Sequence, residues 1–421
     1  MSPPTRLALT LATLIGVAAA VGTFLMAGPQ VSAAATPRAP VDANGFVTSS
    51  HIALIPRTAP DHVMRMQRDE GSGRNPRYVV LVKRHGDYRR EERVLPPGHN
   101  APDTTNDGRT SVEFFNIATA HALRAVLFAD GAPSHIGVSG GTNHFPLGTT
   151  VRTERTEDIA GERCTIWRAE PADPDLARRG FGLPYEACVT ADNIVLGEYY
   201  YGYKNARHTI RRAISVERRS VAEAEVRPEA RYFDWRYWSR LKGTVAPTAR
   251  AFPLERYDVT LTGVSDPFRK TGDRVETRRG FGDWTWREEM RDGARAAFTL
   301  LNSHVELYAS YEEGGTPSSL SVGIYHRVNP ARPGLAALPR GAILDTQVVL
   351  GERCETRETM ATSHSTHTEC RTADGLTLVK TDRGHHLGTR ELRATRVERG
   401  RTTPRSVAIP PDVIDRARWG W

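Results

Sequence analysis

The chain has 421 residues, 39% hydrophobic and 25% charged, enough for one large or two ordinary domains of about 100 to 200 residues each. A mean hydropathy of −0.46, with one long apolar run at the very start, excludes a protein of many membrane spans. Glycine and proline are plentiful, 36 and 27 residues, but follow no three-residue period, which excludes a collagen-like rod. The net charge is +8, and all but five of the 57 basic residues are arginine. No basic block, zinc module or recognition-helix pattern accompanies the charge, so the sequence gives no support for a nucleic-acid partner. A weak contact with an anionic membrane surface is the one partner the charge itself suggests. Acids are interleaved with the arginines, as in Arg89-Arg90-Glu91-Glu92-Arg93, a run that reads as solvated surface.

Residues 1–33 have the anatomy of a secretory signal. Arg6 precedes an uncharged run from Leu7 to Ala27, followed by Gly28, Pro29 and the small residues Val31-Ser32-Ala33-Ala34. Cleavage after Ala33 is the expectation, which places the mature chain in the periplasm or outside the cell. An uncleaved N-terminal anchor is the alternative, because Leu7 to Met26 could just span a bilayer. Four cysteines, all beyond the signal, fit an oxidising compartment and read as disulfides.

The chain reads as a tandem duplication. Gly161-Glu162-Arg163-Cys164 recurs as Gly351-Glu352-Arg353-Cys354. The segment Cys188 to Leu196, with Thr190, Ala191 and Asp192, recurs as Cys370 to Leu378, with Thr372, Ala373 and Asp374. A constant offset of 184 residues places Phe114 on Phe298, Leu123 on Leu307, Ala125 on Ala309, Pro133 on Pro317 and Val138 on Val322. Val216-Glu217-Arg218 matches Val397-Glu398-Arg399 further on. So long a period signals a repeated domain, since solenoid and propeller units run about 20 to 50 residues. The first copy extends over 44–240, the second over 250–421, and a short connector leaves the copies little room to separate. Four cysteines allow three pairings; the repeat selects Cys164 with Cys188 and Cys354 with Cys370.

In chain order, both copies alternate turn signals with runs rich in β-branched and aromatic residues. Strands are predicted at 77–83, 151–156, 164–168, 194–203 and 208–217, then at 257–261, 284–290, 305–311, 320–327 and 376–381. Asn193 and Gly375 stand where hairpin turns need a positive φ. Helical periodicity is thin; 116–128 is the one candidate, and its counterpart favours strand in both copies. Period 2 puts Trp284 and Trp286 on one strand face and Tyr199 and Tyr201 on another. These four are candidates to line an apolar ligand site, with ordinary core packing as the competing reading.

Other chemistry is weakly supported. Gly137-Val138-Ser139-Gly140-Gly141 fits a nucleophile elbow, but no alternation of strands and helices surrounds Ser139. His364 and His367, with Cys370 and a His385-His386 pair, could hold zinc or copper, yet the first copy has no matching histidines and Cys370 is claimed by Cys354. No cofactor and no catalytic residue are assigned.

The signal segment, the single run of antiparallel strands per unit and the unit length of roughly 180 residues together resemble the periplasmic half-barrel family that includes the lipoprotein-localisation carriers LolA and LolB and the mycobacterial lipoprotein LppX. That resemblance implies an eleven-stranded open barrel with a covering helix, and an apolar concave face that receives lipid. The expectation is an all-β, or β-rich α+β, protein of two tandem homologous curved antiparallel sheets, half-barrel-like in form. It would bind a lipid, lipoprotein or other envelope component without catalysing a reaction. An interaction module without a ligand cavity is the alternative, and a hydrolase or metal-binding protein a third.

Overall fold

The computed structural model describes residues 38–47, 54–68, 78–94, 110–127, 133–139, 147–171, 185–201, 206–233, 256–266, 271–282, 284–302, 305–324, 342–361, 365–384 and 388–421. The signal segment, the connector, His364, His385 and His386 lie outside them. Among the described residues no helix is long and apolar enough to cross a membrane.

The chain forms one open, curled antiparallel sheet. Its first eleven strands are β1 (His62–Arg68), β2 (Tyr78–His85), β3 (Tyr88–Val94), β4 (Thr110–Asn116), β5 (His121–Leu127), β6 (Pro133–Ser139), β7 (Leu147–Ile159), β8 (Glu162–Pro171), β9 (Tyr185–Val189), β10 (Val195–Tyr201) and β11 (Arg207–Glu217). The next eleven are β12 (Arg256–Asp266), β13 (Thr271–Phe281), β14 (Trp284–Arg291), β15 (Ala294–Leu301), β16 (Val305–Tyr311), β17 (Pro317–Ile324), β18 (Ile343–Val349), β19 (Glu352–Ala361), β20 (Ser365–Arg371), β21 (Thr377–Gly384) and β22 (Gly388–Arg399). The candidate helix at 116–128 is instead the β4–β5 hairpin. The only α-helix among the described residues is the single turn α1 (Glu223–Val226), so the long covering helix implied by the half-barrel family is absent from them.

Spatial order runs β7-β8-β9-β10-β11-β1-β2-β3-β4-β5-β6 in the first half. The second half repeats that path as β18-β19-β20-β21-β22-β12-β13-β14-β15-β16-β17. The halves join where β6 pairs antiparallel with β17. Joining two edges in this way removes two rows of unpaired backbone groups that would otherwise template aggregation.

Apolar residues cross the seam in unbroken rows. One row reads Phe114, Leu123, Val138, Leu320, Ala309, Phe298, each opposite the next on a neighbouring strand. A second reads Val112, Ala125, Ile136, Val322, Leu307, Leu300, Trp286. Together they form one buried cluster, covered by Tyr232, Val407, Val413 and Trp419. The C terminus returns to the first half, where the Gly420 carbonyl accepts from Asn116 Nδ2 and Thr119 Oγ1. Two further clusters each stay within one half. Met66, Val80, Val82, Ile166 and Leu196 pack in the first, and Val259, Leu261, Leu378 and Leu392 in the second.

Each half carries one disulfide, Cys164–Cys188 and Cys354–Cys370, with Cα atoms 5.3 Å apart in both. The geometry repeats. Cys188 lies opposite Ile166, two residues beyond Cys164, and Cys370 opposite Thr356, two beyond Cys354. The motifs around the cysteines converge on the same spot. Ala160-Gly161 and Leu350-Gly351 all have positive φ, the conformation of a tight type I′ hairpin turn that a glycine accommodates without strain. Arg218 then clamps Glu162 and Asp192 at 2.6 Å each. Arg399 does the same for Glu352 and Asp374. Thr190 Oγ1 accepts from Ile194 N at 2.9 Å, and Thr372 Oγ1 from Leu376 N at 2.9 Å, closing the hairpins in which Asn193 and Gly375 adopt positive φ.

Candidate functional site

Opposite the shared core, the other face of the first half carries charge. On β3 the period of two that buries a strand face selects Arg89, Glu91 and Arg93, which are 5%, 1% and 8% exposed. The reading of this run as solvated surface is therefore corrected. Its odd-numbered members point inward beside Val80, Val82 and Arg84 of β2, and only Arg90 and Glu92 are left toward the outer face.

A buried carboxylate needs opposite charge around it, because desolvation otherwise disfavours the ionised form. Glu91 meets that need three times. Arg89 Nη2 and Arg211 Nη1 both approach its Oε1 to 2.6 Å, and Arg93 Nη2 stands 3.9 Å from Oε2. Burial pushes the Glu91 carboxyl up, but the guanidiniums of Arg211, Arg89 and Arg93 outweigh it and hold the group well below the usual carboxylate range. Arg211 also donates to Glu198. Since β1 and β2 lie between β3 and β11, the Arg211–Glu91 contact spans a chord across the curl of the sheet. Glu113 faces Glu91 directly across β3–β4, a like-charge pairing that would repel. Arg93 Nη2 at 2.7 Å and Arg124 Nε at 3.6 Å neutralise it.

These side chains line a cavity of about 540 Å³, within the range of small-molecule sites. Its walls follow two cross-strand rows toward the seam. Phe115, Ala122, Ser139 and Ser319 form one, and Glu113, Arg124, Gly137 and Ser321 the other. Ile55 and Ile210 add apolar surface. Ile55 belongs to the segment preceding β1, which packs Ala39, Val47 and Ile55 on Phe115, Ile117 and Ala120. Among the described residues, five arginines against three glutamates line the cavity, so the positive sign prevails among them.

In the second half, Glu289 occupies the matching place on β14, with Arg274 at 3.0 Å, Arg291 at 2.8 Å and Arg287 at 3.5 Å. Ala297 stands opposite it, where the first half has Glu113. Beside it, Glu276 is engaged by Arg278 and by Arg287 at 2.7 Å. Burial raises the Glu276 carboxyl, but Arg278, Arg287 and Lys380 bring it down to about 2.

None of the four aromatic candidates lines this cavity. Trp286 is 4% exposed in the shared core, donates Nε1 to the Ala408 carbonyl at 3.1 Å, and meets Phe298 edge-on. Trp284 packs against the same cluster. Tyr199 donates to Glu157 Oε2 at 2.7 Å beneath the Arg207 guanidinium, and Tyr201 lies under Arg168. Ser139 does line the cavity, paired with Ala122 and Ser319, but no histidine or cysteine is among the described lining residues. His367 binds Asp382 at 2.6 Å and Cys370 is in a disulfide. No group of three metal-ligating side chains occurs among the described residues. Sequence reasoning missed Arg89, Glu91, Arg93, Glu113, Glu198 and Arg211; charge stands on both faces of β3, so no local signal marked them.

Comparison with known proteins gives distant neighbours. No family model matches the chain, and no curated protein matches it. Among solved structures it aligns with MucB in complex with periplasmic MucA, at 13% identity and a TM-score of 0.19, over 63% of this chain and 87% of that one. The Pseudomonas aeruginosa MucA/MucB complex aligns at 12% identity and a TM-score of 0.20, over 63% and 88%. A structure of MucB alone aligns at 12% identity and a TM-score of 0.21, over 65% and 90%.

Proposed function

We propose that the chain is an exported protein of the cell envelope, built by duplication of one eleven-stranded unit, that binds a lipid, lipoprotein or other envelope component without chemical turnover. One observation carries the binding reading. The curled first half holds a cavity of about 540 Å³ that joins an apolar wall to a charged floor, the combination that orients an amphipathic guest. Export is supported by the apolar leader and by the two disulfides, which persist in oxidising compartments. Duplication is supported by the paired sequence motifs and by the same strand path in both halves.

A second reading, an interaction module with no ligand, is favoured by the packing of Trp286 and Tyr199 into core and ion network rather than into a lined cavity. Native mass spectrometry of protein gently extracted from the envelope separates the two. Binding predicts a co-purifying species of stoichiometric mass that is lost on delipidation or denaturation. Bare protein under the mildest extraction contradicts it.

A further inference from the structure

We propose that the cavity of the first half is a site for an anionic headgroup, a phosphate or carboxylate, held by Arg89, Arg93 and Arg211; the assignment rests on the binding reading above and names the chemistry of its guest. Three observations converge on it. All three acids among the described lining residues are already neutralised: Glu91 by Arg89 and Arg211, Glu198 by Arg211, and Glu113 by Arg93 and Arg124. The three arginines are at least nine-tenths buried, yet the Nε–H of each has no hydrogen-bond acceptor among the described residues. A buried donor left unpaired carries the cost of its desolvation, and the excess of arginine over glutamate among the described lining residues gives an entering anion a net positive surrounding.

The charge is also locally unbalanced. Arg84, 3% exposed next to Arg89 on the neighbouring strand, bonds the carbonyls of Pro56, Arg57 and Gly86, and among the described residues Asp87 and Asp61 act on it only at a distance. Burial and the repulsion of Arg89 lower the Arg84 guanidinium to about 10. Burial and Arg211 likewise depress Arg89. Guanidinium groups recognise the planar or tetrahedral oxygens of such anions through paired hydrogen bonds. Beside them, Phe115 and Ala122 offer an acyl chain a surface that leads toward the seam.

The test is calorimetric titration of the full exported protein with dodecyl phosphate, dodecyl maltoside below its micellar concentration, and inorganic phosphate. Dodecyl phosphate is expected to bind at least ten-fold more tightly than the neutral maltoside, and Arg89→Gln to weaken it about ten-fold. Arg124→Gln, at the solvent-facing rim, retains the fold and reports on the same charge should Arg89→Gln fail to fold; the comparison of headgroups on the wild-type protein needs no variant. Inorganic phosphate that competes supports a site for the free anion. Phosphate that does not compete supports an anion delivered on a lipid tail. Equal binding of the neutral amphiphile overturns the anionic assignment while leaving the binder reading intact, and failure of every probe to bind overturns both.

Discussion

Gly137 on β6 lies directly opposite Ser321 on β17, and the offset of 184 residues that relates the two halves carries Gly137 onto Ser321. The pair therefore marks a pseudo-twofold centre. His135 faces Gly323 and Ser139 faces Ser319, each pair being the image of the other under the same offset. A sheet edge that pairs with its own counterpart presents matching side chains to both sides of the seam, so the apolar rows run on without a break.

Because those rows join both halves, the seam is expected to couple their unfolding. Leu320→Ala, at a position 5% exposed, should cost about 2 to 5 kcal/mol. Calorimetry should show one transition moving as a whole; two transitions, with only the second-half one shifted, would show that the halves unfold independently.

Acid should destabilise the protein in two stages, with the signs set by linkage. His62 is 4% exposed, and burial holds its imidazole down at about 4. The unfolded chain takes up that proton near the ordinary value of about 6.5, so stability falls as the pH drops from there to 4. The depressed carboxylates act lower. Glu276 and Asp192 titrate at about 2 in the fold, so their contribution, complete above the ordinary carboxylate range, is lost as the pH falls from about 4.5 toward 2. Denaturant midpoints measured across this range should show His62→Gln flattening the upper stage alone.

Removing one acid from a buried cluster should hurt at neutral pH as well. Glu276→Gln takes the nearest carboxylate from Arg278 and Arg287, which keep only Glu369 at 3.9 Å and Glu289 at 3.5 Å, and a destabilisation of about 3 kcal/mol, the low end for a broken buried pair, follows. By contrast, Arg218→Ala or Arg399→Ala removes a clamp in which the arginine is 40% or 34% exposed. Each should cost no more than about 1 kcal/mol. Urea titration of the three variants gives the ranking.

The disulfides close segments of 24 and 16 residues. Replacing either pair by alanine should cost about 3 kcal/mol each through the freedom returned to the unfolded chain. Thiol titration of the denatured, unreduced wild-type protein should detect no free cysteine.

Much of this fold was legible because its signals are local. Asn193 and Gly375 stand where hairpin turns need positive φ, and Cys188, Thr190 and Asp192 recur with their spacing intact as Cys370, Thr372 and Asp374. The charged cavity was not legible. In Arg89-Arg90-Glu91-Glu92-Arg93 both strand faces carry charge, so period 2 alone does not tell which parity turns inward, and the partners Glu198 and Arg211 lie more than a hundred residues away. The aromatic rings misled for a related reason: a ring filling a core and a ring lining a ligand site follow the same alternation. The seam was equally hidden, since sequence pattern says that β6 and β17 are strands but not which edge each one meets.

Photo-crosslinking from within the cavity tests the binding account most directly. A photoreactive amino acid placed at Ser139, in protein activated within intact cell envelopes, should capture a lipid or other envelope component, while the same group at Val151, 52% exposed on the edge strand β7, should not. Capture from Val151 alone, or no adduct from Ser139, would contradict it.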